Sequence, residues 1–185
     1  MPLYFITGNT RKFEEVKEIL PSVEHLKIDL PEVQDIDARK IIEEKLKEAQ
    51  KVHDGEFIVE DTSLYFSCFD FKLPGPLVKW FEKTLGNDGI IKLVNLYKDP
   101  LVECRTIIGY ADKDSNIHFF EGVLQGNLVS PRGDAKIGFD DVFEPIGSDR
   151  TYAEMSLEEK NAMSQRRHAV EKLKEHLSSN VSLSS

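Results

Sequence analysis

The apolar positions change period several times along the chain, and each change marks an element. Leu3-Tyr4-Phe5-Ile6 is a short apolar run that predicts a buried strand, ended by Thr7-Gly8-Asn9. Phe13, Val16, Ile19 and Leu20 then share one helical face, and Pro21 stops that helix. Leu26 to Leu30 predicts a second strand. From Asp37 to Lys51, Ile41, Ile42, Leu46 and Ala49 turn inward while Glu and Lys turn outward, an amphipathic helix. Glu56 to Phe66 reads as a strand running into an acidic turn, Phe57-Ile58-Val59-Glu60-Asp61-Thr62. After the rigid bend Leu73-Pro74-Gly75-Pro76, one helix is predicted through Leu77, Val78, Trp80, Phe81 and Leu85, and another from Asp88 to Tyr97.

From Leu101 the period becomes two. Val102, Cys104, Thr106, Ile108 and Tyr110 alternate with their neighbours, Lys113-Asp114-Ser115-Asn116 is a turn, and Ile117 to Leu128 is the return strand of a long antiparallel hairpin. Ser156-Leu157-Glu158-Glu159 is a capping box opening a last helix with Met163, Val170, Leu173 and Leu177 on its inner face. The domain is expected to span 1–178, with 179–185 a fraying serine-rich tail. Helices alternating with strands, then a late hairpin, predict an α/β fold: a mixed sheet flanked by helices, in two lobes around a cleft.

The chain has 185 residues, enough for one domain. Apolar residues make up 40% and charged residues 31%, which excludes collagen-like and disordered classes. Lys and Arg number 24 against 33 Asp and Glu, a net charge of −9, which argues against a nucleic-acid partner because coating that backbone needs a basic stripe. A small anion needs only a few lysines and backbone amides. Cys68 and Cys104 are too few for a secreted framework and are expected as two buried thiols, a disulfide between them being the alternative. No run reaches membrane-spanning length and the N-terminus lacks a signal-peptide pattern, so a cytoplasmic protein without a membrane partner is expected.

Several segments could carry chemistry. Thr7-Gly8-Asn9-Thr10-Arg11-Lys12 lies at a strand-to-helix turn, where free N–H groups and the helix dipole favour an anion; an ordinary N-cap beside a solvated lysine explains the same residues. The spacing is not that of a P-loop. Glu60 and Asp61 are adjacent carboxylates on a strand and point to opposite faces, so one could hold a hard cation and the other a lysine; a loop cap is the alternative. Pro31 stiffens the backbone before Glu32 and could aim that carboxylate. Lys45 and Arg132 are by default solvated. Gly138-Phe139-Asp140-Asp141 offers a ring to stack and acids to accept from a heterocycle, or else a turn packed by Phe139. Lys160, Gln165 and Arg166 follow on the last helix. Together these suggest a nucleoside triphosphate with Mg²⁺.

Thr7-Gly8-Asn9 with Lys12, Leu30-Pro31-Glu32, Glu60-Asp61-Thr62, Leu73-Pro74-Gly75-Pro76, Gly138-Phe139-Asp140, Thr151-Tyr152-Ala153-Glu154-Met155 and Glu159-Lys160-Asn161-Ala162, in this order, resemble the inosine triphosphate pyrophosphatase (Ham1-like) family. The resemblance implies an elongated, two-lobed single domain with a central cleft, working as a homodimer. It implies Mg²⁺-dependent hydrolysis of the non-canonical purine nucleotides ITP, dITP and XTP to monophosphate and pyrophosphate. By position, Thr7, Gly8, Asn9, Thr10, Arg11 and Lys12 would bind the triphosphate, with Lys45 and Thr62. Glu32 and Asp61 would hold the metal, and Asp61 would also accept the proton of the attacking water. Gly138, Phe139, Asp140, Lys160, Gln165 and Arg166 would read the base. The chain departs from the family at Ile137, where the family has Phe, and at Gln165, where it has His; both changes bear on base selectivity. A non-catalytic nucleotide sensor, which needs no acid for the water, and a Maf-like pyrophosphatase with other substrates are the competing readings.

Overall fold

The computed structural model describes residues 2–134 and 138–182. Among them, seven strands form one mixed sheet and five α-helices pack on it. The strands are β1 (Leu3–Ile6), β2 (Glu24–Leu26), β3 (Glu56–Phe66), β4 (Pro74–Gly75), β5 (Leu101–Ala111), β6 (Ile117–Leu128) and β7 (Phe143–Pro145). The helices are α1 (Thr10–Ile19), α2 (Ala38–Val52), α3 (Val78–Tyr97), α4 (Leu157–Met163) and α5 (Gln165–Ser182). Sheet order is β2-β1-β3-β5-β6-β7, with β4 paired to β3. β1 runs parallel to β2 and β3, and the other pairings are antiparallel. β5 and β6 pair from Leu101↔Asn127 to Ala111↔Ile117, the hairpin that the period of two predicts.

The apolar side chains gather at two places along β3. Phe57 and Val59 pack toward α2, and Ile58 packs on the opposite face with α1 and α5. Farther along, Leu64 and Phe66 join Val78, Ile90 and Val94 of α3 with Phe143 and Tyr152. The apolar run is interrupted at Glu60-Asp61-Thr62-Ser63, in the middle of β3, so polar groups sit between two cores.

Several features differ from the expected ones. β3 runs unbroken through Glu60-Asp61-Thr62, where the sequence predicts an acidic turn, because these residues stay paired with Ile108, Ile107 and Thr106 of β5. β2 stops at Leu26, because β1, its only partner, ends at Ile6; Ile28 and Leu30 still pack on the core without pairing. The last helix is two helices. Ser164 is extended (φ −66°, ψ 150°), and its Oγ accepts from the Arg167 N–H at 3.1 Å, capping α5 as a serine at that position does. Met163 is consequently exposed, while Val170 and Leu173 are buried. Cys104 is buried but Cys68 is only half-buried, and both thiols are free. α3 contains the expected division, with Gly86 at φ 66°, ψ 169° between its two halves. α5 runs to Ser182, into the stretch expected to fray.

α5 meets β6 backbone to backbone. A Cβ at Gly122 would collide with the Gln165 carbonyl oxygen and lie 2.7 Å from the Ala169 nitrogen. Only glycine permits this approach, and it brings the first turn of α5 onto the sheet beside Glu60.

Candidate active site

A cleft of about 900 Å³ opens at the interrupted stretch of β3. It collects Thr7, Gly8, Asn9 and Lys12 from the end of β1 and the start of α1, Glu32 from the segment before α2, and Lys45 from α2. Asp61 and Thr62 come from β3, Gly138, Phe139 and Asp140 from the late loop, and Lys160, Gln165 and Arg166 from α4 and α5. Thr10 and Arg11 are the expected site residues absent from this lining; Thr10 is exposed, and Arg11 leans on Glu15 at 3.8 Å. Ile137 lies outside the described residues. The described lining carries seven Lys or Arg and six Asp or Glu side chains, in a chain whose net charge is −9. Basic groups are thus concentrated here, as a polyanion requires.

At the mouth of the anion turn, Asn9 caps α1: its Oδ1 accepts from the Arg11 and Lys12 N–H groups at 3.0 and 3.2 Å. The capping reading therefore holds for that oxygen. Gly8 is different. Its φ is not positive, and a Cβ there would meet nothing within 4 Å, so neither backbone strain nor packing demands glycine. What remains is room for a ligand to approach the main chain.

Strand alternation separates the two acids of β3. Glu60 faces α1 and α5, where Lys12 Nζ lies at 2.7 Å and Arg166 Nε donates at 2.7 Å. Burial alone would raise the Glu60 pKa, but Arg166 and Lys12 hold it well below the usual carboxylate range. Arg166 also donates to Glu15 and, at 3.3 Å, to Thr62 Oγ1, which in turn meets Thr106 Oγ1 at 2.8 Å. Glu15 thus holds Arg166 without itself lining the cleft, although its place on an otherwise ordinary helix gave no sign of it in the sequence. Lys160 donates to both carboxylate oxygens of Asp140, at 3.0 and 2.8 Å, and lies over the Tyr152 ring at 4.9 Å. Phe139 packs against Phe143 with ring centroids 6.2 Å apart, so its ring belongs to the core beneath the cleft. Gln165 is buried and its Oε1 accepts from the Tyr152 hydroxyl at 2.9 Å, which leaves its NH₂ as the donor toward the cleft.

Asp61 points the other way, with Ser63 Oγ as its hydrogen-bond donor. Burial raises its pKa, opposed by Ser63, Lys12 and Lys45. Among the described residues no Lys, Arg or His nitrogen lies within ion-pair distance of it. A partly buried carboxylate with no basic side chain in contact suits a hard cation with oxygen ligands. Glu32, the other expected ligand, is half-exposed on the cleft wall, where Lys45 at 2.9 Å and Lys79 at 3.8 Å hold it and the Lys45 hydrogen bond lowers its pKa. No group of three or more His, Cys, Asp or Glu is close enough to form a cage among the described residues. A cation here would draw the rest of its shell from water and ligand oxygens, which fits Mg²⁺. Lys79, Lys83, Trp80 and Glu82 of α3 also line the cleft and went unrecognised in the sequence, where the charged three read as the polar face of a helix and Trp80 as one of its apolar positions.

The fold and the cleft define a class: an α/β protein whose mixed sheet carries a cleft of mixed charge across its middle strand. A family model described as the Ham1 family matches residues 3–176, and the chain belongs to that family. Over 189 residues it is 39% identical to an inosine triphosphate pyrophosphatase of Puccinia graminis f. sp. tritici, covering 96% of this chain and 97% of that one. It is 38% identical to an inosine triphosphate pyrophosphatase of Schizosaccharomyces pombe, with 96% and 95% coverage. The Ham1 protein of Staphylococcus aureus superposes with a TM-score of 0.77 at 22% identity, over 96% of this chain and 99% of that one, a likeness of fold. No helix among the described residues is long and apolar enough to cross a membrane.

Proposed function

We propose that this chain is a nucleoside triphosphate pyrophosphatase that hydrolyses the non-canonical purine nucleotides ITP, dITP and XTP to monophosphate and pyrophosphate. The observation that carries the reading is Asp61: a partly buried carboxylate, its pKa raised by burial, that faces a cleft rich in lysine with no Lys, Arg or His nitrogen within ion-pair distance among the described residues. Family membership supplies the substrate class. Gly8 lets the triphosphate approach the backbone, and Lys12 and Lys45 offset its charge. Asp61, with a raised pKa, orients the attacking water and takes its proton, and Ser63 fixes the direction of that carboxylate. Asp61 and Glu32 would hold a Mg²⁺ ion, which when bound neutralises phosphate charge.

Base choice rests on the C6 oxygen of hypoxanthine and xanthine, an acceptor where adenine presents a donor. Arg166 already serves Glu15, Glu60 and Thr62, so the NH₂ of Gln165, oriented by Tyr152, is the donor that matches that oxygen. The same reading has a homodimer acting on free cytoplasmic nucleotides, with one domain spanning 1–178.

Pyrophosphate release is measured with ITP, XTP, dITP, ATP and pyrimidine triphosphates, with Mg²⁺ and with chelator. ITP and XTP lead the panel, the chelator abolishes turnover, and Asp61→Asn loses several orders of magnitude while still binding nucleotide. Orthophosphate as the product, a pyrimidine or modified nucleotide leading the panel, or undiminished turnover in Asp61→Asn would overturn the assignment.

A further inference from the structure

We propose that Trp80 is a positioning residue for Glu32, acting through a hydrogen bond to Gln34 that ties the segment before α2 to α3 across the cleft; the metal role of Glu32 rests on the function proposed above. The indole Nε1 of Trp80 donates to Gln34 Oε1 at 2.6 Å, between residues 46 positions apart in sequence. Both side chains are solvent-exposed and both line the cleft.

The tie matters because little else holds this segment. Residues 27–37 contain neither helix nor strand. Ile28 and Leu30 pack on the core, and burial resumes at Ala38. Between them Val33 and Ile36 are 40% and 64% exposed, so no apolar anchor fixes residues 31–36. What reaches them is polar: Lys45 and Lys79 on Glu32, Trp80 on Gln34, and Lys40 on Asp35 at 3.5 Å. Lys40 and Lys45 are long, flexible side chains on α2, the helix that follows the segment. Lys79 and Trp80 arrive from α3, whose first residue, Val78, is buried in the core.

The two cross-cleft contacts differ in kind. Lys79 would turn to the phosphates of an arriving polyanion and release Glu32. The Trp80–Gln34 bond joins two neutral groups, neither drawn to the polyanion by charge as Lys79 is, so it keeps Glu32 in register when its lysines leave. An indole also carries its donor on a rigid ring with two side-chain torsions, which fixes direction at low entropic cost.

Trp80→Phe keeps a ring and deletes the donor, Gln34→Leu deletes the acceptor, and the double variant completes a cycle. Hydrogen exchange of amides 32–36 is read without nucleotide or metal, and the Mg²⁺ concentration for half-maximal ITP hydrolysis is read with both. Each single variant should raise exchange and the Mg²⁺ requirement about three- to tenfold, the range one neutral hydrogen bond commands, with kcat at saturating Mg²⁺ far less affected. The double variant should be no worse than either single one, because both remove the same bond. Because Trp80 is the only tryptophan, its emission should also shift in Gln34→Leu. Unchanged exchange in Trp80→Phe, or effects that multiply in the double variant, would overturn the positioning role. An inactive wild type would instead overturn the function, and the exchange arm would still judge the tie.

Discussion

Arg166 is the side chain on which the buried charges of the cleft depend most. Arg166→Met keeps the apolar stem and the helix propensity but removes the charge facing Glu15 and Glu60. The three side chains are 5%, 1% and 3% exposed, so neither carboxylate regains solvent where it stands. Glu60 would keep Lys12 at 2.7 Å. Glu15 would keep only Arg11 and Lys160, each 3.8 Å away and beyond hydrogen-bond length, and its Oε1 already lacks a hydrogen bond. Removing one partner of a buried ion pair costs about 3–5 kcal/mol, because the remaining charge is uncompensated. Urea unfolding at pH 7, followed by circular dichroism, should show that loss. Adding Glu15→Gln to Arg166→Met removes the carboxylate left without a close partner, so the double variant should be more stable than the sum of the singles by about 0.5–3 kcal/mol. The pH dependence has a definite sign. The folded pKa of Glu60 is lowered from 4.5, so its contribution is full above that value and is lost as pH falls below it. The gap between wild type and Arg166→Met should therefore narrow in acid. A loss below about 1 kcal/mol, or additivity in the double variant, would mean that these charges are effectively solvated, and the argument from burial would fail.

Two further substitutions separate stability from function. Gly8→Ala should leave unfolding free energy within about 0.5 kcal/mol, since its Cβ meets nothing, yet raise KM for the triphosphate; an unchanged KM would remove the close approach of phosphate at this turn. Asp61→Asn should make the fold more stable at neutral pH. The folded pKa of Asp61 is raised above 3.8, so its ionised form opposes folding once pH exceeds the folded value, and thermal unfolding should show the advantage of Asn shrinking as pH falls toward 3.8; a destabilised Asn variant at pH 7 would contradict that account.

Much of the fold was legible because periodicity reports local structure, and it failed where a partner set the limit. β2 could not be longer than the free edge of β1 allowed, and no pattern within Leu26 to Leu30 contains that information. Ser164 read as a helix interior because the helical period continues through it; the break is visible only in the cap that its hydroxyl makes for α5. The site divides in the same way. Glu60 and Asp61 could be assigned opposite faces from strand geometry alone, and they take opposite fates, one clamped by Lys12 and Arg166, the other left without a cation in contact. Glu15, Gln34, Lys79 and Trp80 could not be found this way. Each is an unremarkable polar or amphipathic residue in its own element, and its role exists only because α3 and α5 are brought over the strand. The residues legible in advance are mostly those whose local geometry makes a group expensive, such as a carboxylate on a buried strand. Those that escaped hold such groups in place, and their signal lies in pairings across 46 or 151 positions of chain. The catalytic proposal is thus stronger from sequence than the selectivity proposal, because Asp61 sits where it does by strand alternation, whereas the direction of the Gln165 amide depends on Tyr152, thirteen residues away in another element.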